Sequence, residues 1–400
     1  MPAPKSSHRR VFVTRPVADA ALRRLAETAR VDLWDDDAPP PHDELVAHLR
    51  ECDAVLSMVS DRLDAGAIAA APRLLAISNL AVGVDNIDLT AATRAGVAVG
   101  HTPGVLTETT ADLAFALMLA AARRVAEGDR FVRAGRWRMW TPRLMLGRDV
   151  WGATLGVIGW GKIGQAVARR AGGFGMRVLY AAHPGAGAGT GAGFAAGANP
   201  APVAKTRRRD GGTLPSGRTL SSGRPGSSGE VTAFGAPAAR GAPSAERVEL
   251  ARLLAEADFI SLNVPLTPQT RQLIGRRELA AMKRGAILVN TARGAVIDQA
   301  EMVEALRSGH LGGAGLDVTA IEPIDAADPL LKLPNVVITP HIGSASHATR
   351  LRMAELAVDN ILDVFAGHLP RHCANPAVKL RVPRSKAPRA MGAKNKSAGP

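Results

Sequence analysis

The chain has 400 residues, 46% hydrophobic and 22% charged, with 41 Gly, 27 Pro and two Cys. That length supports two or three domains of roughly 100–200 residues each, with ample material for a core. Cys52 and Cys373 are too few for a disulfide framework or a four-ligand zinc site, so a reducing compartment and no metal centre are expected. No apolar run approaches the roughly 20 residues that span a bilayer. The N-terminus carries basic residues without an apolar core segment, so no secretory leader is expected and the chain reads as cytoplasmic.

The net charge of +14 is unevenly spread. Lys379 to Pro400 holds seven Lys/Arg and no Asp/Glu, and Pro184 to Glu246 holds seven Lys/Arg against three Asp/Glu. A nucleic-acid groove should interleave such charge with aromatic or polar residues on a folded face. Here the charge sits in segments that look unfolded and only 4% of the chain is aromatic, so a solvated tail at 379–400 and no specific nucleic-acid partner are expected.

In chain order, VFVTRP starts as a strand and Ala18 to Glu27 has apolar residues at helical spacing. AVLSMV, LLAISN and GVAVGH follow as strand-like runs. From Thr107 to Val125 the spacing predicts a long helix with a threonine cap and a two-arginine end. Gly128 to Gly152 mixes Trp137, Trp140 and charges and reads as an arm. The runs TLGVI, RVLY, FISLNV, AILVN and VVITP then alternate with helix-like segments, which implies a parallel sheet covered on both faces. One segment breaks the pattern: residues 184–246 contain 14 Gly and 7 Pro with few large apolar side chains. Such a stretch cannot bury enough surface to offset its ordering entropy, so it is expected to be disordered.

TLGVIGWGKIGQAVARR places Gly159, Gly161 and Gly164 in GxGxxG spacing between a strand and a helix. The first glycine permits the tight turn, the second lets backbone approach a pyrophosphate, and the third lets helix pack on strand. The helix N-terminus then offers N–H groups and partial positive charge to phosphates. An NAD site ordinarily places Asp or Glu about 20 residues on, at the end of the next strand. Here that strand ends Tyr180-Ala181-Ala182-His183, and the first acidic residue is Asp210. Without a carboxylate to repel a 2′-phosphate, and with His183 as a donor, NADP(H) is favoured over NAD(H).

Arg293, Glu322 and His341 each stand just beyond a later strand, where ligands of an open parallel sheet collect. Together they suit one chemistry. A planar guanidinium is the best grip on the carboxylate of a 2-oxo acid. Its carbonyl oxygen needs a proton as hydride arrives, and a histidine paired with a carboxylate supplies one near neutrality.

The chain resembles the D-isomer-specific 2-hydroxyacid dehydrogenases, and most closely their glyoxylate/hydroxypyruvate reductase branch. The resemblance runs over about residues 10–183 and 247–378. It rests on NLAVGVDNID, TPGVLTETTADLAFALMLAAARR, VIGWGKIGQAVARR, ADFISLNVPLTPQT, NTARGAVID, GLDVTAIEP and TPHIGSAS. It implies an α/β protein in which a doubly wound Rossmann-type cofactor domain, 104–335, is inserted in a smaller flavodoxin-like substrate domain built from 1–103 and 336–378. By resemblance His341 is the acid/base, Glu322 its partner and Arg293 the carboxylate grip, with backbone N–H groups of Val82 and Gly83 as the other half of the substrate site. Trp160, Gly161, Lys162 and Ile163 are expected along the pyrophosphate and Ala182 and His183 near the adenosine ribose. Pro265, Thr291, Ala292, Asp317 and Gly343 are expected around the nicotinamide. Residues 107–147 resemble the family's homodimer contact.

Two departures from the family stand out. Its members usually carry Arg near the position of His183, and they connect RVLY to the next helix by a short segment. Loss of a strand–helix unit there is expected to open a sheet edge beside the adenine pocket. The rival reading is a catalytically silent, dinucleotide-sensing scaffold on the same fold, which would not require Arg293, Glu322 and His341 together.

Overall fold

The computed structural model describes residues 9–182 and 244–381, so His183, positions 184–243 and the tail beyond 381 lie outside the described residues. Apolar β-branched runs separated by helices give two all-parallel sheets. The first contains β1 (Arg10–Val13), β2 (Arg30–Leu33), β3 (Ala54–Ser57), β4 (Ala76–Asn79) and β5 (Ala98–Gly100), in the order β2-β1-β3-β4-β5. This is the flavodoxin-like order. The second contains β6 (Thr154–Ile158), β7 (Arg177–Ala181), β8 (Ala245–Arg247), β9 (Phe259–Leu262), β10 (Ile287–Asn290), β11 (Gly313–Leu316) and β12 (Val336–Ile338). Its order, β12-β11-β10-β9-β6-β7-β8, is the doubly wound dinucleotide-binding arrangement with one strand added. In both sheets the strand order reverses beside the first strand, and a crevice opens at the carboxyl ends there.

Central strands are buried along their whole length, as parallel sheets covered on both faces require: β3, β4, β9, β10 and β11 have no exposed residue. The helix Thr107–Ala122 lies on the second sheet and the helix His347–Phe365 returns to the first. The return is fixed by polar contacts as well as packing. Ser78 donates to the carbonyl of Ala357 at 2.8 Å, and Asn360 Nδ2 donates to the His101 carbonyl at 3.1 Å. Among the described residues no helix is long and apolar enough to cross a membrane.

Two bounds shift: β12, at 336–338 and expected in the substrate domain, pairs with β11 in the second sheet, and Arg381, expected in the solvated tail, is bonded to the Gly96 and Ala95 carbonyls. Three expectations about single elements are corrected as well. The helix begins at Thr107, whose side chain caps nothing; Leu106 occupies the cap position, and the N–H of Thr107 bonds instead to the Gly104 carbonyl. It also ends at Ala122, not Val125, because Arg124 turns into the left-handed region at φ 54° and a second helix, Val125–Arg133, starts. The third concerns the sheet edge beside β7, which is not open. Ala245 and Glu246, placed by composition in the structureless segment, belong to β8 and pair in parallel with β7. Their strand was hidden because its sequence, AER, has no apolar run.

Charge holds that short strand. Arg177 on β7 and Arg252 each bridge Glu246 and Glu256, at 2.6–2.9 Å, in a four-member ring across β7, β8 and the helix Leu250–Glu256. The arginine hydrogen bonds keep both glutamates below the usual carboxylate range.

Cys52 lies buried under the first sheet, and loss of solvation pushes its thiol up to about 12. It should therefore resist N-ethylmaleimide at pH 7.5 in the native protein and react once guanidinium unfolds it. Equal labelling rates in the two states would contradict this placement.

Candidate active site

The glycine turn follows β6 directly, and its three glycines occupy different environments. Gly159 has φ 96°, and a Cβ there would press on the Asn263 carbonyl. A Cβ on Gly164 would strike the Gly159 carbonyl, so helix and strand meet at backbone contact. A Cβ on Gly161 would meet nothing within 4 Å. The open approach lies where the ten-residue helix Lys162–Ala171 points its first N–H groups. Trp160 leaves this opening and stacks on Tyr180 of β7, ring centroids 3.9 Å apart and 16° from parallel.

The mouth of the crevice is electropositive. Lys162 Nζ reaches toward Gly104 of the other sheet's connection. Burial, with the nearby charges of His101, Lys162 and Arg371, holds His372 below the usual histidine range. Such a concentration of cationic groups favours phosphate-bearing ligands.

The expected trio emerges from three adjacent strands. Arg293 follows β10, Glu322 follows β11 and His341 follows β12. Asn290 shapes the first turn by donating to the Arg293 carbonyl at 2.9 Å and accepting from Ala292 N–H at 3.0 Å. Gly294 lets that turn lie against the Thr319 backbone, where a Cβ would collide with the Thr319 carbonyl. Thr319 N–H in turn donates to Glu322 Oε1 at 3.2 Å. The other carboxylate oxygen, Oε2, lies 2.7 Å from His341 Nδ1. A carboxylate accepts, so Nδ1 carries the proton and Nε2 is left for chemistry.

His341 adopts φ 53°, a conformation rarely taken by residues other than glycine and costing on the order of 1–3 kcal/mol. Asp317 enforces it. Its carbonyl accepts the His341 N–H at 3.0 Å, and its carboxylate accepts from Thr339 Oγ1 (2.6 Å) and from the N–H groups of Ile342 and Gly343 (2.8 Å each). Asp317, expected beside the nicotinamide, is thus 1% exposed and scaffolds the histidine turn.

From the first sheet comes the loop after β4. His101 Nδ1 holds the Val82 carbonyl at 2.8 Å and Asn79 Nδ2 holds the Gly83 carbonyl at 2.9 Å. With both carbonyls engaged, the N–H groups of Val82 and Gly83 donate to no group among the described residues. Gly83 also seats the Arg293 guanidinium, since a Cβ there would overlap it. The substrate-side residues expected from opposite ends of the chain therefore meet. His101 and Asp85, which bonds Arg293, were missed by sequence reasoning. A histidine after a strand and an aspartate in a loop carry no pattern that separates them from surface residues.

Four further expected positions have these surroundings. Pro265 offers its carbonyl to Thr270 at 2.6 Å, and Thr291 Oγ1 is buried without a hydrogen-bond partner. Ile163 is half buried against both sheets' cores, and Ala182 is exposed at the end of β7. The open face of Gly161, the free helix terminus and the orphaned Thr291 hydroxyl fit a dinucleotide. Among the described residues no group of three or more His, Cys, Asp or Glu is arranged to hold a metal ion.

Parallel strands that carry a phosphate turn at one end and an Arg–Glu–His set beside it define a nicotinamide-dependent oxidoreductase. The family model for the D-isomer specific 2-hydroxyacid dehydrogenase NAD binding domain matches residues 115–189 and 232–343, breaking off inside the Gly/Pro-rich segment. The chain is 45% identical over 376 residues to a glyoxylate reductase of Korarchaeum cryptofilum, covering 94% of this chain and 98% of that protein. It is 40% identical over 378 residues to a glyoxylate reductase of Thermococcus litoralis, covering 94% and 99%. A solved Thermus thermophilus protein, 44% identical, superposes with a TM-score of 0.73 over 91% of this chain and 99% of that one. An NADPH-dependent glyoxylate/hydroxypyruvate reductase from Sinorhizobium meliloti, in complex with NADP and malonate, gives 0.69 at 26% identity, covering 94% and 99%. The chain belongs to the D-isomer-specific 2-hydroxyacid dehydrogenases, in the glyoxylate reductase branch.

The glycines give a paired expectation. Gly161→Ala should leave the melting temperature unchanged while weakening dinucleotide binding at least tenfold, because its Cβ would meet no protein atom within 4 Å and would project where a pyrophosphate is expected. Gly164→Ala should destabilise the fold itself by about 1–3 kcal/mol through overpacking. Thermal melts and dinucleotide titrations of both variants check the contrast.

Proposed function

We propose that this protein reduces a small 2-oxo acid, glyoxylate or hydroxypyruvate first, to the D-2-hydroxy acid, and that it prefers NADPH to NADH. The observation that carries the reading is the His341–Glu322 pair at 2.7 Å beside the Arg293 turn. The bound dinucleotide supplies a hydride for C2 of the oxo acid. Arg293 and the free N–H groups of Val82 and Gly83 grip the carboxylate and orient the carbonyl toward His341. Protonated His341 then gives the Nε2 proton to the carbonyl oxygen, which becomes the hydroxyl, while Glu322 stabilises the imidazolium until transfer. A sensing scaffold needs no such proton donor, which favours turnover over the silent alternative.

The cofactor preference rests on β7 ending at Ala181 and Ala182 without a carboxylate to repel a 2′-phosphate. The Sinorhizobium relative's NADPH dependence points the same way. For the substrate, the names of the curated relatives argue for glyoxylate.

A homodimer through the 107–147 region completes the proposal. The helix Val125–Arg133 has no buried residue, and Trp137, Met139, Trp140 and Leu146 are each more than half exposed. Large apolar side chains exposed together along one segment are what a partner copy covers.

Two tests follow. His341→Ala should lower kcat by roughly 10²–10⁴-fold, the usual worth of a positioned acid/base. Arg293→Lys should lose nearly as much as Arg293→Ala, because a point charge cannot replace a planar fork. Steady-state rates with NADPH and NADH against glyoxylate, hydroxypyruvate and pyruvate decide this; near-normal turnover in His341→Ala would remove it from the mechanism. Separately, Trp137→Glu/Trp140→Glu should convert a dimer to a monomer in sedimentation velocity, and an unchanged mass would exclude the arm as the interface.

A further inference from the structure

Arg293 does not stand alone in the crevice. Its Nε donates to both carboxylate oxygens of Asp85, at 3.2 Å each, and Nη2 lies 3.1 Å from Asp85 Oδ1. Nη1 donates to the Ala292 carbonyl at 2.9 Å. A guanidinium has five N–H donors. Asp85 takes the Nε–H, with Nη2 at ion-pair distance, and Ala292 engages one hydrogen of Nη1. What remains is one N–H of Nη1 and those of Nη2, and a pair of terminal N–H groups matches a carboxylate or an oxo-acid pair of oxygens.

Asp85 itself is held firmly. It sits in the loop between β4 and the helix Leu89–Arg94, whose neighbouring positions are pinned on both sides. On one side Asn79 holds the Gly83 carbonyl at 2.9 Å. On the other, Asn86 Nδ2 donates to the carbonyls of Met58 and Asp61 at 3.0 and 2.9 Å, and Asp88 caps the helix at Ala91 N–H at 2.8 Å. The loop belongs to the first sheet and Arg293 to the second, so the pair spans the crevice. Both side chains are about three-quarters shielded from solvent.

We infer that Asp85 is the positioning residue of Arg293, holding the guanidinium side-on so that its end-on edge faces the 2-oxo acid across the crevice. The inference rests on the reading of Arg293 as the substrate grip. A flexible arginine presents its fork only part of the time, and misplacement by about 1 Å costs on the order of 10²-fold in rate. A partly exposed ion pair adds little to folding, so the loss of Asp85 is read in kinetics rather than in the melting temperature.

The experiment is a double-mutant cycle on the full-length protein with its dinucleotide, using Asp85→Ala, Asp85→Asn, Arg293→Ala and the Asp85→Ala/Arg293→Ala pair. Asp85→Ala should lower kcat/KM for glyoxylate by about 10²-fold. Dinucleotide KM should stay within twofold and the melting temperature within a few degrees. Asp85→Asn, which keeps one acceptor oxygen, should recover part of the loss. In the Arg293→Ala background, adding Asp85→Ala should cost less than threefold, because nothing is left to position. Additive losses, or an Asp85→Ala enzyme with wild-type kcat/KM, overturn the inference while Arg293→Ala remains crippled. A fully active Arg293→Ala enzyme would instead overturn the role given to Arg293.

Discussion

The buried carboxylate of Asp317 is the constraint on which the site depends. Removing a carboxylate from water is costly unless its oxygens are fully used, and here three donors and the turn itself use them. In return the turn after β12 is fixed in a left-handed conformation that an unsupported histidine would rarely take. The imidazole is thereby aimed at Glu322, which is fixed in turn by the Thr319 N–H. Backbone geometry, rather than side-chain packing, sets the position of His341.

Parallel strands explain why these groups meet at all. Every strand of the second sheet runs in one direction, so every turn that carries chemistry emerges at one edge. The glycine turn, the Arg293 turn, the Thr319 segment and the His341 turn are neighbours because β6, β9, β10, β11 and β12 are neighbours in the sheet. The first sheet contributes the Val82–Gly83 loop with its two carbonyls already engaged, while its N–H groups donate to no group among the described residues. Lys162 and Arg371, close to His372, add long-range attraction for anionic ligands.

Elsewhere the architecture uses charge to do what apolar area cannot. β8 has three residues and no large hydrophobic side chain, yet it closes the edge of the sheet because two arginines and two glutamates tie it to β7 and to the helix that follows. Exposed pairs of this kind are individually weak, and their mutual arrangement in a ring is what gives them a structural role. The opposite case is the arm after Arg124, where the large apolar side chains of Trp137, Met139, Trp140 and Leu146 lie in solvent.

Much of this was legible in the residues alone. Long apolar runs such as FISLNV and AILVN announce buried central strands, and the spacing of Gly159, Gly161 and Gly164 announces a phosphate turn, because each depends on local sequence. Arg293, Glu322 and His341 could be singled out because the three, each just past an apolar strand, together complete one chemistry. Edge strands β2 and β8, the cap at Leu106 and the break at Arg124 were not visible, since pairing partners and turn geometry decide them. Nor could sequence reveal that Asp85, more than two hundred residues from Arg293, grips it, or that Asp317 scaffolds a turn. Those contacts exist only when two sheets close on a common crevice, because a hydrogen bond is set by distance in space and not by separation along the chain.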